Sequence, residues 1–114
     1  MDETTLPLDR SALQSMFGDD VEFQLSILAS YSDSLVEFQQ ALDRAFANRE
    51  AAELRAQAHK MKSSSSTVGA YTLGDYCEQL EAAAEALDWQ VIETVVPKFA
   101  DEISAVRACI ADEV

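Results

Sequence analysis

From Val21 to Phe46 the apolar residues Val21, Leu25, Leu28, Leu35, Phe38, Leu42 and Phe46 recur at steps of three and four, with Tyr31 or Ser32 filling the middle step. That spacing puts one apolar stripe on a helix of about 26 residues, roughly 40 Å long at about 1.5 Å per residue. The same period returns three more times. Leu54, Ala58, Met61, Ser65 and Val68 form the stripe of a helix over 49–68, with Asn48 as its cap and Gly69 at its end. Leu73, Tyr76, Cys77, Leu80, Ala84 and Leu87 mark a helix over 72–87, capped by Thr72. Ile92, Val96, Phe99, Ile103, Val106 and Ile110 mark another over 88–113, with Pro97 inside it expected to kink or break it.

Ahead of these, Asp9 can cap a short helix over 9–17 that Gly18 stops, and Asp19 or Asp20 opens the long one over 20–47. No stretch alternates with the two-residue period of a half-buried strand. The links are short, and short links make neighbours antiparallel. The pattern therefore predicts an all-α protein: an antiparallel up-down four-helix bundle with a short extra N-terminal helix, in one domain over 1–114. The run "SSSST" has poor helix propensity and should fray unless the bundle holds it.

Composition agrees with one ordered helical domain, since 48% of the 114 residues are hydrophobic and only three are Gly and two Pro. Charge narrows the function. Eight Lys and Arg face 21 Asp and Glu, a net charge of -13, which repels nucleic acid and anionic lipid. Arg44, Arg49, Arg55, Lys60 and Lys62 nevertheless place five of the eight basic residues in one nineteen-residue window. Solvated helix faces would explain that clustering, and so would a local positive spot suited to an anionic group. Cys77 and Cys109 have no metal-type spacing and fall on apolar helix positions, so they read as buried free thiols of a reducing compartment. The acidic, polar start of the chain shows no signal peptide and no run reaches membrane-spanning length, so the domain is expected in the cytoplasm.

The basic window contains the chain's one histidine, in "AHKMKSSSSTVGA" over 58–70. Leu54, Ala58, Met61 and Ser65 lie within about 40° of a common direction, whereas His59 lies roughly 120° to 140° from it. The ring is therefore expected on the outer face, beside Ala52, Arg55, Ala56, Lys62, Ser63 and Ser66. Small neighbours leave its edge open. A surface histidine with no role is one reading. A serine hydrolase is another, but no Gly-x-Ser-x-Gly elbow or oxyanion nest accompanies the serines. A third makes the imidazole itself the nucleophile, its unprotonated nitrogen accepting a phosphoryl group that nearby lysines help to bind.

The residues His59, Lys62, Ser63, Ser64, Ser65, Gly69, Ala70 and Leu73, followed by Leu80 and Glu81, resemble the signature of histidine-containing phosphotransfer (HPt) domains of multistep two-component phosphorelays. The opening "LDRSALQSMFGDDVEFQLSILASY" also looks like the family's start, so the likeness spans nearly the whole chain. It implies a carrier that accepts phosphate from a receiver-domain aspartate onto the Nε2 atom of His59 and passes it to another. Lys62 would offset phosphate charge, and Ser63 would stand one turn from the ring. Ser64, Gln79 or Glu81 would steady the ring.

The resemblance further implies receiver domains as partners, with Arg55, Ala56, Lys60 and Ser66 around the ring and Leu13, Met16 and Phe17 of the first helix as candidate docking residues. No cofactor or metal of its own is expected; magnesium would sit in the receiver, and the domain would have no kinase activity because no nucleotide loop is present. A monomer is expected, free-standing or as the C-terminal module of a hybrid sensor kinase on the cytoplasmic side of a membrane. Ser63 replaces the family's usual glycine four residues after the histidine. That change supports a competing reading, an adaptor that docks a receiver without transfer. Lys60 and the absence of a following proline separate the chain from the dimerisation helices of histidine kinases.

Overall fold

A computed structural model of the chain describes residues 7–113; the acidic opening segment 1–6 and residue 114 lie outside them. Five helices follow in order: α1 Ser11–Phe17, α2 Val21–Ala47, α3 Ala51–Val68, α4 Tyr71–Glu85 and α5 Trp89–Glu113. Among the described residues no strand occurs. Helices α2, α3, α4 and α5 pack each on the next, α5 returns to α2, and α1 lies across α3 and α2. The result is the up-down bundle with a short first helix. Its long dimension of 42 Å is the length of α2, whose 27 residues at about 1.5 Å each span the molecule.

The apolar stripes meet at the centre. Leu28, Leu35 and Leu42 of α2, Leu54 of α3, Leu73 and Leu80 of α4, and Ile92, Phe99 and Val106 of α5 are wholly buried. Phe99 anchors the middle, with Phe38 and Tyr76 edge-on to it at 5.6 and 5.9 Å between ring centres.

The first turn of α2 departs from the expected stripe. Val21 is 57% exposed and Leu25 only half-buried, while Gln24 is buried in their place. Its side-chain amide donates to the Gly18 carbonyl and its oxygen accepts from Arg10 at 3.1 Å. A buried amide is tolerated because both of its ends are paired.

Several ends follow the expected chemistry. Asp9, Asp20 and Asp88 accept from the amides of Ser11, Phe23 and Val91 at 3.0, 3.1 and 3.3 Å. Two caps are corrected. Asn48 closes α2, its amide donating to the Arg44 carbonyl, and Glu50 precedes α3; α4 starts at Tyr71, one residue before Thr72, with Ala70 ahead of it. Both helices start without a side-chain cap, so neighbour packing fixes where they begin. Pro97 does not break α5, which runs on to Glu113. It faces solvent, where water can take the carbonyl that the proline leaves unpaired.

The serine run stays helical to Val68. Ser65 turns inward and shares a 2.6 Å hydrogen bond with the Tyr31 hydroxyl, and Thr67 donates to the Ser63 carbonyl at 3.1 Å. Gly69 then ends α3 in the left-handed region at φ 86°, and its carbonyl accepts the Asp9 amide at 2.9 Å.

Candidate functional site

Helices α3 and α4 run antiparallel, so steps of three and four along one meet steps of three and four along the other. Arg55, His59 and Lys62 on α3 thus face Glu85, Glu81 and Glu78 on α4. Arg55 approaches Glu85 at 3.6 Å. The centre of this ladder is tighter: His59 Nδ1 lies 2.8 Å from Glu81 Oε2, and Lys62 Nζ donates to Glu81 Oε1 at 2.9 Å. Buried Leu80 on one side and Ala83 and Ala84 on the other fix the rotation of α4, which aims Glu81 at α3.

His59 stands out from the bundle with 69% of its side chain exposed, while Glu81 is only 15% exposed. The Glu81 carboxyl is held below the usual carboxylate range, first by the Lys62 ammonium and then by the hydrogen bond from His59; Lys62 is raised in turn by Glu81. An ionised carboxylate can only accept. Nδ1 must therefore carry the ring proton, which leaves the Nε2 lone pair free on the open side. Beneath the pair, burial pushes the Cys77 thiol up to about 12, so it stays a neutral core group. Cys109, expected buried, is half-buried. Among the described residues no three His, Cys, Asp or Glu side chains converge to hold a metal ion, and no helix is long and apolar enough to cross a membrane.

Of the three candidates for steadying the ring, Glu81 does so. Ser64 faces an open groove of about 570 Å³ between α3 and α2, lined also by Ser26, Ser30, Ser34 and Thr67. Gln79 lies exposed on α4, and the imidazole's bond goes past it to Glu81 because the helical step from Leu80 turns position 81 toward α3. Ser63 is exposed, as the open approach requires, and shares the rim of that groove with a second one of about 500 Å³ between α3 and α4.

Arg55, Ala56 and Ser66 are exposed. Lys60, also exposed, turns to the α2 side, over a groove with Ser34, Glu37 and Gln57. Leu13 is corrected: it is fully buried and holds α1 to the bundle, so it cannot meet a partner. Met16 is 60% exposed and Phe17 borders the surface, its ring edge-on to Phe23 at 5.3 Å. Sequence reasoning missed Tyr71, 49% exposed and lining the second groove with Met16, Lys62, Gly74, Asp75 and Glu78. The available signal was a large aromatic directly after the Gly-Ala pair, where the chain turns from α3 into α4.

A helical bundle that presents one exposed imidazole, tethered through Nδ1, is the architecture of histidine phosphotransfer proteins. The chain matches the Hpt domain family over residues 26–109 and belongs to that family. Among solved structures it is similar to histidine-containing phosphotransfer protein B from Pseudomonas aeruginosa PAO1, with a TM-score of 0.87 and 27% identity over 96% of this chain and 95% of that one. No curated protein sequence matches the chain. As an Hpt domain it is a phosphocarrier of a phosphorelay, without kinase activity of its own.

Proposed function

We propose that His59 is the phosphoryl acceptor and donor, exchanging phosphate with receiver-domain aspartates. The observation that carries this is the exposed ring whose Nδ1 proton is committed to Glu81. In the forward step the Nε2 lone pair attacks the phosphorus of the receiver's acyl phosphate. An N–P bond forms, the P–O bond breaks, and the aspartate leaves as a carboxylate. No proton need move, because Nδ1 already holds it; the ring becomes formally cationic and Glu81 faces that charge. The reverse step returns the phosphoryl group to a second aspartate. The receiver would bring the metal ion and the aspartate, while the bundle brings a positioned nucleophile.

Exposed Met16, Phe17 and Tyr71, two of which line the groove that also holds Lys62 and Ser63, support docking of an apolar receiver surface, with exposed Arg55, Ala56 and Ser66 on α3. The small side chain of Ser63 leaves the approach open, which favours transfer over the adaptor reading. In a cell the domain would act as a monomer in the cytoplasm, alone or within a larger kinase. Incubation with a phosphorylated receiver tests the proposal. Label should reach a site labile to acid and stable to alkali, and His59→Gln should abolish it. No label on the wild-type chain, with receivers that phosphorylate other Hpt domains, would leave docking alone.

A further inference from the structure

Ser63 stands one turn beyond His59 on the exposed face of α3. Residues four apart on a helix have Cβ atoms about 5–6 Å apart, and side chains lean toward the N-terminal turn, so the Ser63 hydroxyl leans toward the ring. The tether of the ring decides which half it meets. An imidazole carries Nδ1 on one side of Cγ, and Cδ2 with Nε2 bonded to it on the other. Nδ1 is held on the α4 side, 2.8 Å from Glu81. The Nε2 half therefore turns away from α4, out over the solvent side of α3 that Ser63 shares.

The hydroxyl is also uncommitted. Ser26, Ser34 and Thr67 each donate theirs to a backbone carbonyl three or four residues back, Thr67 to that of Ser63 itself. Among the described residues the Ser63 hydroxyl makes no such bond. A phosphoryl group on Nε2 would bring about two negative charges to a chain whose net charge is already -13. The cations of this face already have carboxylates: Lys62 donates to Glu81 at 2.9 Å and Arg55 approaches Glu85 at 3.6 Å. Lys60 turns to the α2 side. The Ser63 hydroxyl is the donor left over, and a hydrogen bond to an ionised oxygen is roughly twice as strong as one to a neutral acceptor.

We infer that Ser63 donates a hydrogen bond to the phosphoryl group carried on His59, and so biases transfer toward the phosphorylated carrier. The inference rests on His59 as the acceptor. The bond exists only while the phosphate is on the ring. It stabilises the phosphorylated chain and leaves the free chain and the receiver's acyl phosphate as they were, so the transfer equilibrium moves toward this chain. It also favours the dianion of the phosphoryl group over the monoanion, because the more charged oxygens are the better acceptors. Glycine or alanine at position 63 has no side-chain proton to donate.

The test uses the full chain phosphorylated by phosphoramidate, a small donor that passes its phosphoryl group to imidazole and releases ammonia, so no receiver is needed. Because the chain has one histidine, its phosphorus NMR spectrum holds one phosphohistidine signal. Followed against pH, that signal gives the proton affinity of the phosphoryl group. Ser63→Ala and Ser63→Gly should each raise the affinity, by about two- to tenfold. The two should agree with each other, although alanine favours the helix and glycine weakens it. Amide spectra check that each variant is folded. With a phosphorylated receiver, the equilibrium share of phosphate on His59 should fall in both. Titrations of both variants that superimpose on the wild type would overturn the inference, as would a glycine variant that departs alone, which marks a loosened helix and not a lost donor. No label on His59 from phosphoramidate or from a receiver would overturn the acceptor role, and this inference with it. The first failure leaves phosphohistidine in place and the second does not, so the two are distinguishable.

Discussion

The amide of Asp9 donates to the carbonyl of Gly69 at 2.9 Å, a bond that ties the start of α1 to the link between α3 and α4. The two backbones are so close that a Cβ on Gly69 would run into the Asp9 carbonyl, and Gly69 has a φ of 86°. Gly69→Ala therefore meets both a left-handed backbone, which costs on the order of 1–3 kcal/mol, and a clash that pushes α1 away. Urea unfolding should show a loss of more than about 2 kcal/mol. Gly18 is the control: it is also left-handed, but a Cβ there meets nothing within 4 Å. Gly18→Ala should cost only the backbone term.

Beneath the serine run, the Tyr31 hydroxyl and Ser65 Oγ are buried and bonded at 2.6 Å. Burial pushes the Tyr31 phenol well above its usual range, so it stays neutral. Tyr31→Phe leaves the serine hydroxyl without this partner and should cost about 1–3 kcal/mol. Ser65→Ala strands the phenol and should cost a similar amount. Removing both should cost much less than the sum. A double-mutant cycle by denaturant unfolding measures the coupling, and simple additivity would show that the hydroxyls do not depend on each other.

Two carboxylates make stability depend on pH with opposite signs. Glu81 is lowered in the fold by Lys62 and His59, so its contribution is present above the unfolded value of about 4.3 and is lost as pH falls through the lower folded value. Glu102 is raised by burial, and one of its oxygens has no partner among the described residues. Its cost is absent at low pH, appears as pH rises through about 4.3, and is complete above the raised folded value. Glu81→Gln should lower the urea midpoint at pH 7 and flatten its fall in acid. Glu102→Gln should raise the midpoint at pH 7, with the gain vanishing below pH ~4.

The helices were legible because the stripes of α2 to α5 are long and keep one period, as Leu28, Leu35 and Leu42 show. His59 was legible for the same reason: the angle that puts Leu54 and Ala58 inside puts it outside. What failed was whatever depends on a second element. Gln24 is buried because Gly18 and Arg10 supply its partners, which no periodicity records. Leu13, Met16 and Phe17 are close in sequence, yet only contact with the bundle decides that Leu13 goes in and Met16 stays out. The choice of Glu81 over Ser64 and Gln79 depended on the angle between α3 and α4. The bond from Lys62 to Glu81 likewise needs α4 in place beside α3.

The two faces of α1 separate folding from docking. Leu13→Ala opens a cavity where a leucine is wholly buried, and should cost about 2–5 kcal/mol of stability. Met16→Ala trims a side chain that is mostly in water, and Tyr71→Ala removes a ring that is half in water, so each should change stability by less than about 0.5 kcal/mol. If the surface beside Lys62 and Ser63 receives the receiver's apolar helix, the cost falls on association instead. Each substitution would then remove an anchor and weaken binding by about 1–2 kcal/mol, roughly tenfold in the concentration of phosphorylated receiver needed for half-maximal transfer. The rate at saturating receiver should hold, because neither side chain touches the His59–Glu81 pair. Transfer kinetics over a range of receiver concentrations separate the two terms. A fall in the saturating rate at unchanged half-saturation would place both residues in the chemistry, and no change in either would move the docking surface away from Met16 of α1 and Tyr71 of α4.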